Sequence, residues 1–160
     1  VSGRVLALNG AVTMDSNTIT IPPGCPCAFP ASVTDLGPGC VSPITPVLAS
    51  TAPVTGQLVT WTITSVLPSA MVFVFLSNCG AAPLTVPGTS CTVYVDLASL
   101  ELFFTDTTDS FGNWTLTFVV PPDPVLLGRC VVIQGLVWTG TGPLAGDIPT
   151  TGLQLTVGCM

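Results

Sequence analysis

Apolar and polar residues alternate along this chain in short bursts: "RVLAL", "AVTM" and "NTITI" near the start, then "PVLAS", "QLVTWTITS", "AMVFVFLS", "CTVYVD", "ELFFT", "NWTLTFVV", "CVVIQGLVW" and "LQLTVG". A period of two puts successive side chains on opposite faces of an extended strand. Turn signals separate the bursts, among them Asn9-Gly10, "PPGCP", "LGPGC", "VPGTS", "DSFGN", "PPDP" and "TGTGP". Strands therefore recur about every 8 to 15 residues, the rhythm of a sandwich rather than of βαβ units. The predicted fold is all-β: an antiparallel β-sandwich, immunoglobulin-like or jelly-roll-like, over residues 36–160. Residues 1–35 are expected to form an N-terminal β arm or hairpin ending in a Pro/Cys-rich hinge.

Two bursts carry more detail. In "LVTWTITS", Val59, Trp61 and Ile63 alternate with Thr60, Thr62 and Thr64, so one face should be buried and the other solvated. "MVFVFL" lacks polar alternation, which predicts cover on both faces, either from its own chain or from another subunit. A helical turn is expected only at "DPVLLG", where Asp123 can cap, Pro124 suits the first helical position and Gly128 the stop.

Composition narrows the class. Of 160 residues, 48% are hydrophobic and only 6% charged, and the chain has neither Lys nor His. Apolar runs reach at most about ten residues where a spanning helix needs ~20, so no transmembrane segment is predicted. The 16 Gly and 16 Pro, with abundant Val and Thr, favour short strands and tight turns over helices. Arg4 and Arg129 are the only cations in a chain of net charge -6, too few to neutralise a nucleic-acid backbone, and that partner is excluded.

Seven cysteines stand at positions 25, 27, 40, 79, 91, 130 and 159. Zinc sites use paired C-x₂₋₄-C clusters; Cys25 and Cys27 are too close for that spacing, and no second pair exists. A disulfide framework is the expected reading, hence an oxidising compartment. The expected location is extracellular or cell-surface, with Val1 the first residue after signal-peptide removal. The odd count leaves one cysteine as a free thiol or as half of an intermolecular bridge.

Candidate chemistry is sparse. Asp106, Asp109 and Asn113, with Asp123 nearby, could begin a calcium site, but Asp, Ser, Gly and Asn are also the residues of a hairpin turn, and the "DxDxDG" spacing is missing. Glu101, the only glutamate, falls on the solvated side of its strand. With no His or Lys to serve as base, a Ser or Cys nucleophile lacks its usual activator, so neither an enzyme nor a cofactor is expected. Trp61, Trp114, Trp138 and Tyr94 could form a sugar-stacking platform, yet each Trp lies mid-strand, where packing is the expected role. "NWT" at 113–115 matches the N-glycosylation pattern.

From Leu36 the order of motifs is specific: "LGPGC", "PVLAS", "GQLVTWTITSVLPSAMVFVFLS", "SCTVYVD", "TDTTDSFGNWTLTFVVPPDPVLLG" and "VVIQGLVW". The series resembles a β-rich module near the C-termini of secreted and surface proteins of planctomycetes and other environmental bacteria, over about residues 36–157. The resemblance implies a secreted β-sandwich without an assigned activity. Cys40 and Cys91 fall on cysteine positions of that family, whereas Cys79 and Cys130 match none; the expected pairings are Cys40 with Cys91 and Cys79 with Cys130. The first 35 residues have no counterpart.

That unmatched segment sets the functional expectation. Apolar patches on a charge-poor sandwich mark interaction surfaces, and edge strands without Lys are not blunted against pairing. A β-prone arm on a proline-rich hinge suits donor-strand complementation of a second copy, as in pilins, and head-to-tail addition builds a filament. The expected arm residues are Val5, Ala7, Val12, Ile19 and Ile21, or Leu6 and Leu8 if the other face is buried. A hairpin packed on its own domain is the competing arrangement. Function is thus read as a homopolymeric structural subunit; the alternative is a carbohydrate-binding or cell-wall-anchoring module whose partner is a surface polysaccharide.

Overall fold

The computed structural model describes residues 28–40, 45–64, 67–80, 83–142 and 146–159. Arm residues Val5, Leu6, Ala7, Leu8, Val12, Ile19 and Ile21, together with Cys25 and Cys27, lie outside the described residues. The strands are β1 (Ser32–Gly37), β2 (Val47–Ser50), β3 (Leu58–Thr64), β4 (Met71–Asn78), β5 (Leu84–Thr85), β6 (Thr92–Val93), β7 (Glu101–Thr107), β8 (Asn113–Val119), β9 (Cys130–Gly142) and β10 (Gly146–Thr156). They form a five-stranded sheet ordered β1-β10-β9-β4-β7, a three-stranded sheet ordered β2-β3-β8, and the small β5-β6 pair, with every ladder antiparallel. The fold is an all-β sandwich.

The core fills the space between the two larger sheets. Leu48, Val59, Trp61, Ile63 and Trp114 come from the three-stranded sheet; Val72, Val74, Ile133, Val137, Leu153 and Leu155 face them from the other. Alternation is kept: Thr60 and Thr117 point away from the core and place their hydroxyls 3.0 Å apart across β3 and β8. At one corner Thr151 joins the sheets by itself. Its Oγ1 accepts the Leu48 N–H and donates to the Leu48 carbonyl, both at 3.0 Å, standing in for a strand of backbone. Thr151 lies in a register shift of β10 beside Pro149, a residue that strands accommodate at bulges.

The five-stranded sheet is also covered on its outer face. Phe75 of β4 packs with Tyr94, Val95 and Val132, so "MVFVFL" finds part of its second cover within its own chain. Gln134 clamps that cover down. It is 2% exposed on β9; its Oε1 accepts the Tyr94 N–H at 2.9 Å, and its Nε2 donates to the carbonyls of Thr92 and Thr150, each at 3.0 Å. Two disulfides, Cys40–Cys91 and Cys79–Cys130, fasten the same region. Cys159 is disulfide-bonded as well. In "LGPGC" the second glycine is required by contact: a Cβ on Gly39 would overlap the carbonyl oxygens of Pro149 and Thr150.

Two local outcomes concern the sequence expectations. The turn at "DPVLLG" is a short 3-10 helix, Pro124–Leu126, with the Asp123 carboxylate accepting the Val125 N–H at 2.9 Å. Strand β1 spans the boundary placed between Asp35 and Leu36 and pairs with β10, so the sandwich includes Ser32.

Candidate functional site

Strand β7 ends the five-stranded sheet and β8 ends the three-stranded one, on the same side of the sandwich, because the 108–112 turn carries the chain across. "TDSFGN" builds that turn. Asp109 Oδ1 accepts the N–H groups of Phe111 and Asn113, each at 2.8 Å, and the Asp109 N–H donates to the Asn113 carbonyl at 2.7 Å. Next to it, Asp106 Oδ2 accepts the Trp114 indole N–H at 3.2 Å, and Phe104 packs on the Trp114 ring with centroids 5.9 Å apart. The carboxylates of the calcium candidate are thus engaged in the turn, and no group of three acidic, Cys or His residues able to hold a metal occurs among the described residues. Asp109→Ala leaves two turn N–H groups without their acceptor; a loss of about 1 kcal/mol of unfolding free energy is expected, measured by denaturant titration.

Away from the turn no backbone ladder joins the two edges among the described residues. The ladder between β4 and β7 shifts register so that Val74 pairs with Phe104 and Phe75 with Leu102, leaving Phe103 as the extra residue of a bulge. A bulge re-aims a side chain. Phe103 meets Trp61 at a centroid distance of 5.2 Å and Phe118 of β8 at 5.9 Å, while Trp61 and Phe118 meet edge-on at 5.0 Å. These three rings, with Leu76, Val131, Leu155 and Val157, line a wholly apolar slot of about 130 Å³. A volume of that order, ~150 Å³, holds a benzene-sized group. Trp61 is 3% exposed, and its indole N–H is buried with no hydrogen-bond partner. Such a donor costs free energy until an acceptor reaches it.

Strand β7 is the outermost strand of its sheet among the described residues. It pairs only with β4 among the described strands, and Leu102 and Phe103 are 55% and 45% exposed. Its charges are Glu101 and Asp106, the first exposed as the alternation predicts, the second turned to Trp114. A second apolar hollow, lined by Phe75, Val93, Val95, Leu97, Leu100 and Leu136 with Gln134, lies on the outer face of the same sheet. Beside it, Asp96 sits below the usual carboxylate range, because the Ala98 N–H and the Ser99 hydroxyl hydrogen-bond its charged form.

The aromatic residues do not assemble a shared platform. Trp61 and Trp114 are in the core, Tyr94 is covered under the outer layer, and Trp138 is half-exposed on the opposite face of β9 from core residue Val137. The sequence names Trp61 but not Phe103 and Phe118 as slot residues; alternation alone does not reveal that a bulge lets both adjacent phenylalanines, Phe103 and Phe104, meet core indoles. No helix among the described residues is long and apolar enough to cross a membrane. Compared with known protein families and with curated proteins, the chain matches none.

Proposed function

We propose that this protein is a structural subunit of an extracellular filament or surface assembly, built by β-strand addition between copies and stabilised by disulfides, with no catalytic role. The observation that carries the reading is the β7 edge: seven residues long, pairing on one side only among the described residues, and bordered by exposed Leu102 and Phe103. Sheet edges are normally blunted with charge, above all Lys, and the chain has none. The disulfides support an oxidising compartment, and the resemblance to the planctomycete surface module supports secretion.

The arm of 27 residues that precedes the described body supplies the strand, since an extended chain of that length reaches at most about 90 Å. Added strands gain main-chain hydrogen bonds along the edge and specificity from alternate side chains. Deletion of residues 1–21 is expected to leave monomers where the full chain forms long assemblies in negative-stain images and by light scattering. Normal polymerisation of the deleted form sinks the reading. The carbohydrate-binding alternative requires retention on an insoluble polysaccharide that Trp138→Ala abolishes; Trp138 is the exposed indole among the three.

A further inference from the structure

We infer that the outer face of the three-stranded sheet is an ice-binding surface, a grid of threonines that holds water in the arrangement of a crystal face. The inference is independent of strand addition, because one copy carries the whole grid.

Register builds the grid. In β3, Thr60, Thr62 and Thr64 alternate with buried Trp61 and Ile63, and in β8 Thr115 and Thr117 flank Leu116. The ladder sets Thr60 opposite Thr117 and Thr62 opposite Thr115, so these four side chains stand on one face as two rungs. Thr51, directly after β2, extends the first rung: its N–H donates to the Thr60 carbonyl at 3.0 Å, and its Oγ1 accepts the Thr60 N–H at 2.9 Å. Thr51, Thr64, Thr115 and Thr117 are exposed, and Thr60 and Thr62 are half-buried on the central strand. Pleated geometry spaces such residues about 4.8 Å apart across strands and about 6.8 Å apart along them. Oxygen atoms on a prism face of hexagonal ice repeat at nearly these two intervals.

Chemistry and charge select the occupant. Each threonine offers a methyl, around which water orders, and a hydroxyl that joins a water network. The 3.0 Å contact between the Thr60 and Thr117 hydroxyls fixes the spacing of one rung. No residue of β2, β3 or β8 is ionisable, so these strands offer nothing to a lipid head group, a nucleic acid or a charged polysaccharide. A neutral lattice can settle on them without stripping a charge of its hydration. The grid is also rigid before anything binds. Trp61, Ile63 and Trp114 anchor β3 and β8 in the core, and Thr151 ties β2 to the other sheet through both backbone groups of Leu48.

The full-length protein, present while polycrystalline ice grows slowly from solution, tests the inference. Wild type is expected to concentrate in the ice and to slow recrystallisation, whereas a non-binding control protein stays in the liquid. Thr115→Arg sets a charge on the central rung and is expected to raise the concentration that slows recrystallisation about tenfold. Thr105→Arg adds the same charge to exposed β7 of the other sheet and is expected to change nothing. Thr115→Ser removes one methyl and keeps the hydroxyl; a smaller, severalfold loss is expected, and this variant decides the matter if circular dichroism shows Thr115→Arg unfolded. A wild type excluded from ice overturns the inference and leaves strand addition standing. Retention on insoluble cellulose or chitin with exclusion from ice overturns it equally. Wild-type activity in folded Thr115→Arg, or an equal loss in Thr105→Arg, overturns the assignment to this face.

Discussion

Serine at both Cys40 and Cys91 is expected to lower the unfolding free energy by about 4 kcal/mol, the loop-closure entropy of a bridge that encloses 51 residues. The bridge is buried as well as covalent. Cys40 and Cys91 pack with Ile148 in a cluster of their own, and an isolated β-bridge pairs the two residues through their backbones. Their separation therefore releases the segment that leads into β6, with Tyr94 and Val95, from the outer face of the five-stranded sheet. Guanidinium unfolding with Cys79–Cys130 kept intact measures the loss, and hydrogen exchange at Thr92–Val95 should show that segment opening first. A change below about 1 kcal/mol contradicts this account of the bridge.

Gln134→Leu is expected to cost about 3 kcal/mol, a large effect for a substitution that adds apolar surface to a buried site. The leucine keeps most of the volume but leaves the Tyr94 N–H and the carbonyls of Thr92 and Thr150 without the partners they have on the Gln134 amide. A buried backbone group stripped of its bond carries its full desolvation penalty. The loss is read from the denaturation midpoint. An equal or higher midpoint means that the amide is dispensable and that packing alone holds the cover.

Period-two alternation makes most of the sandwich legible, because burial on one face is what creates that period. Val59, Trp61 and Ile63 face the core as the pattern of β3 requires, and the Asp123-capped turn follows from local chemistry. What escapes the pattern depends on contacts between distant residues. "SVTDLG" falls across the boundary between the expected arm and the sandwich and outside every predicted strand, because Thr34, Asp35 and Gly37 break the apolar rhythm, yet it pairs with β10 as an edge, where exposed polar residues cost little. "GDIPTTG", with its glycines and proline, lies outside the predicted strand "LQLTVG", and it forms the first half of β10 around a register shift. Gln134, in the apolar run "VVIQGLV", is the one polar residue whose position signals a buried hydrogen-bond site, although its partners come from 42 and 16 residues away. The slot was the least legible part. It needs a bulge at Phe103, and a bulge is a property of two strands together.

The interleaving of the two bridges has a mechanical consequence. Cys79 lies between Cys40 and Cys91, and Cys91 lies between Cys79 and Cys130, so the covalent path from Cys40 to Cys130 shortens from ninety residues to the twelve that separate Cys79 from Cys91. Pulled at Cys40 and Cys130 and fully unravelled, that stretch extends by the length of twelve residues instead of ninety. Tension between those two points can peel the sheets apart, but the stretch remains a short, cross-linked tether rather than a long slack one.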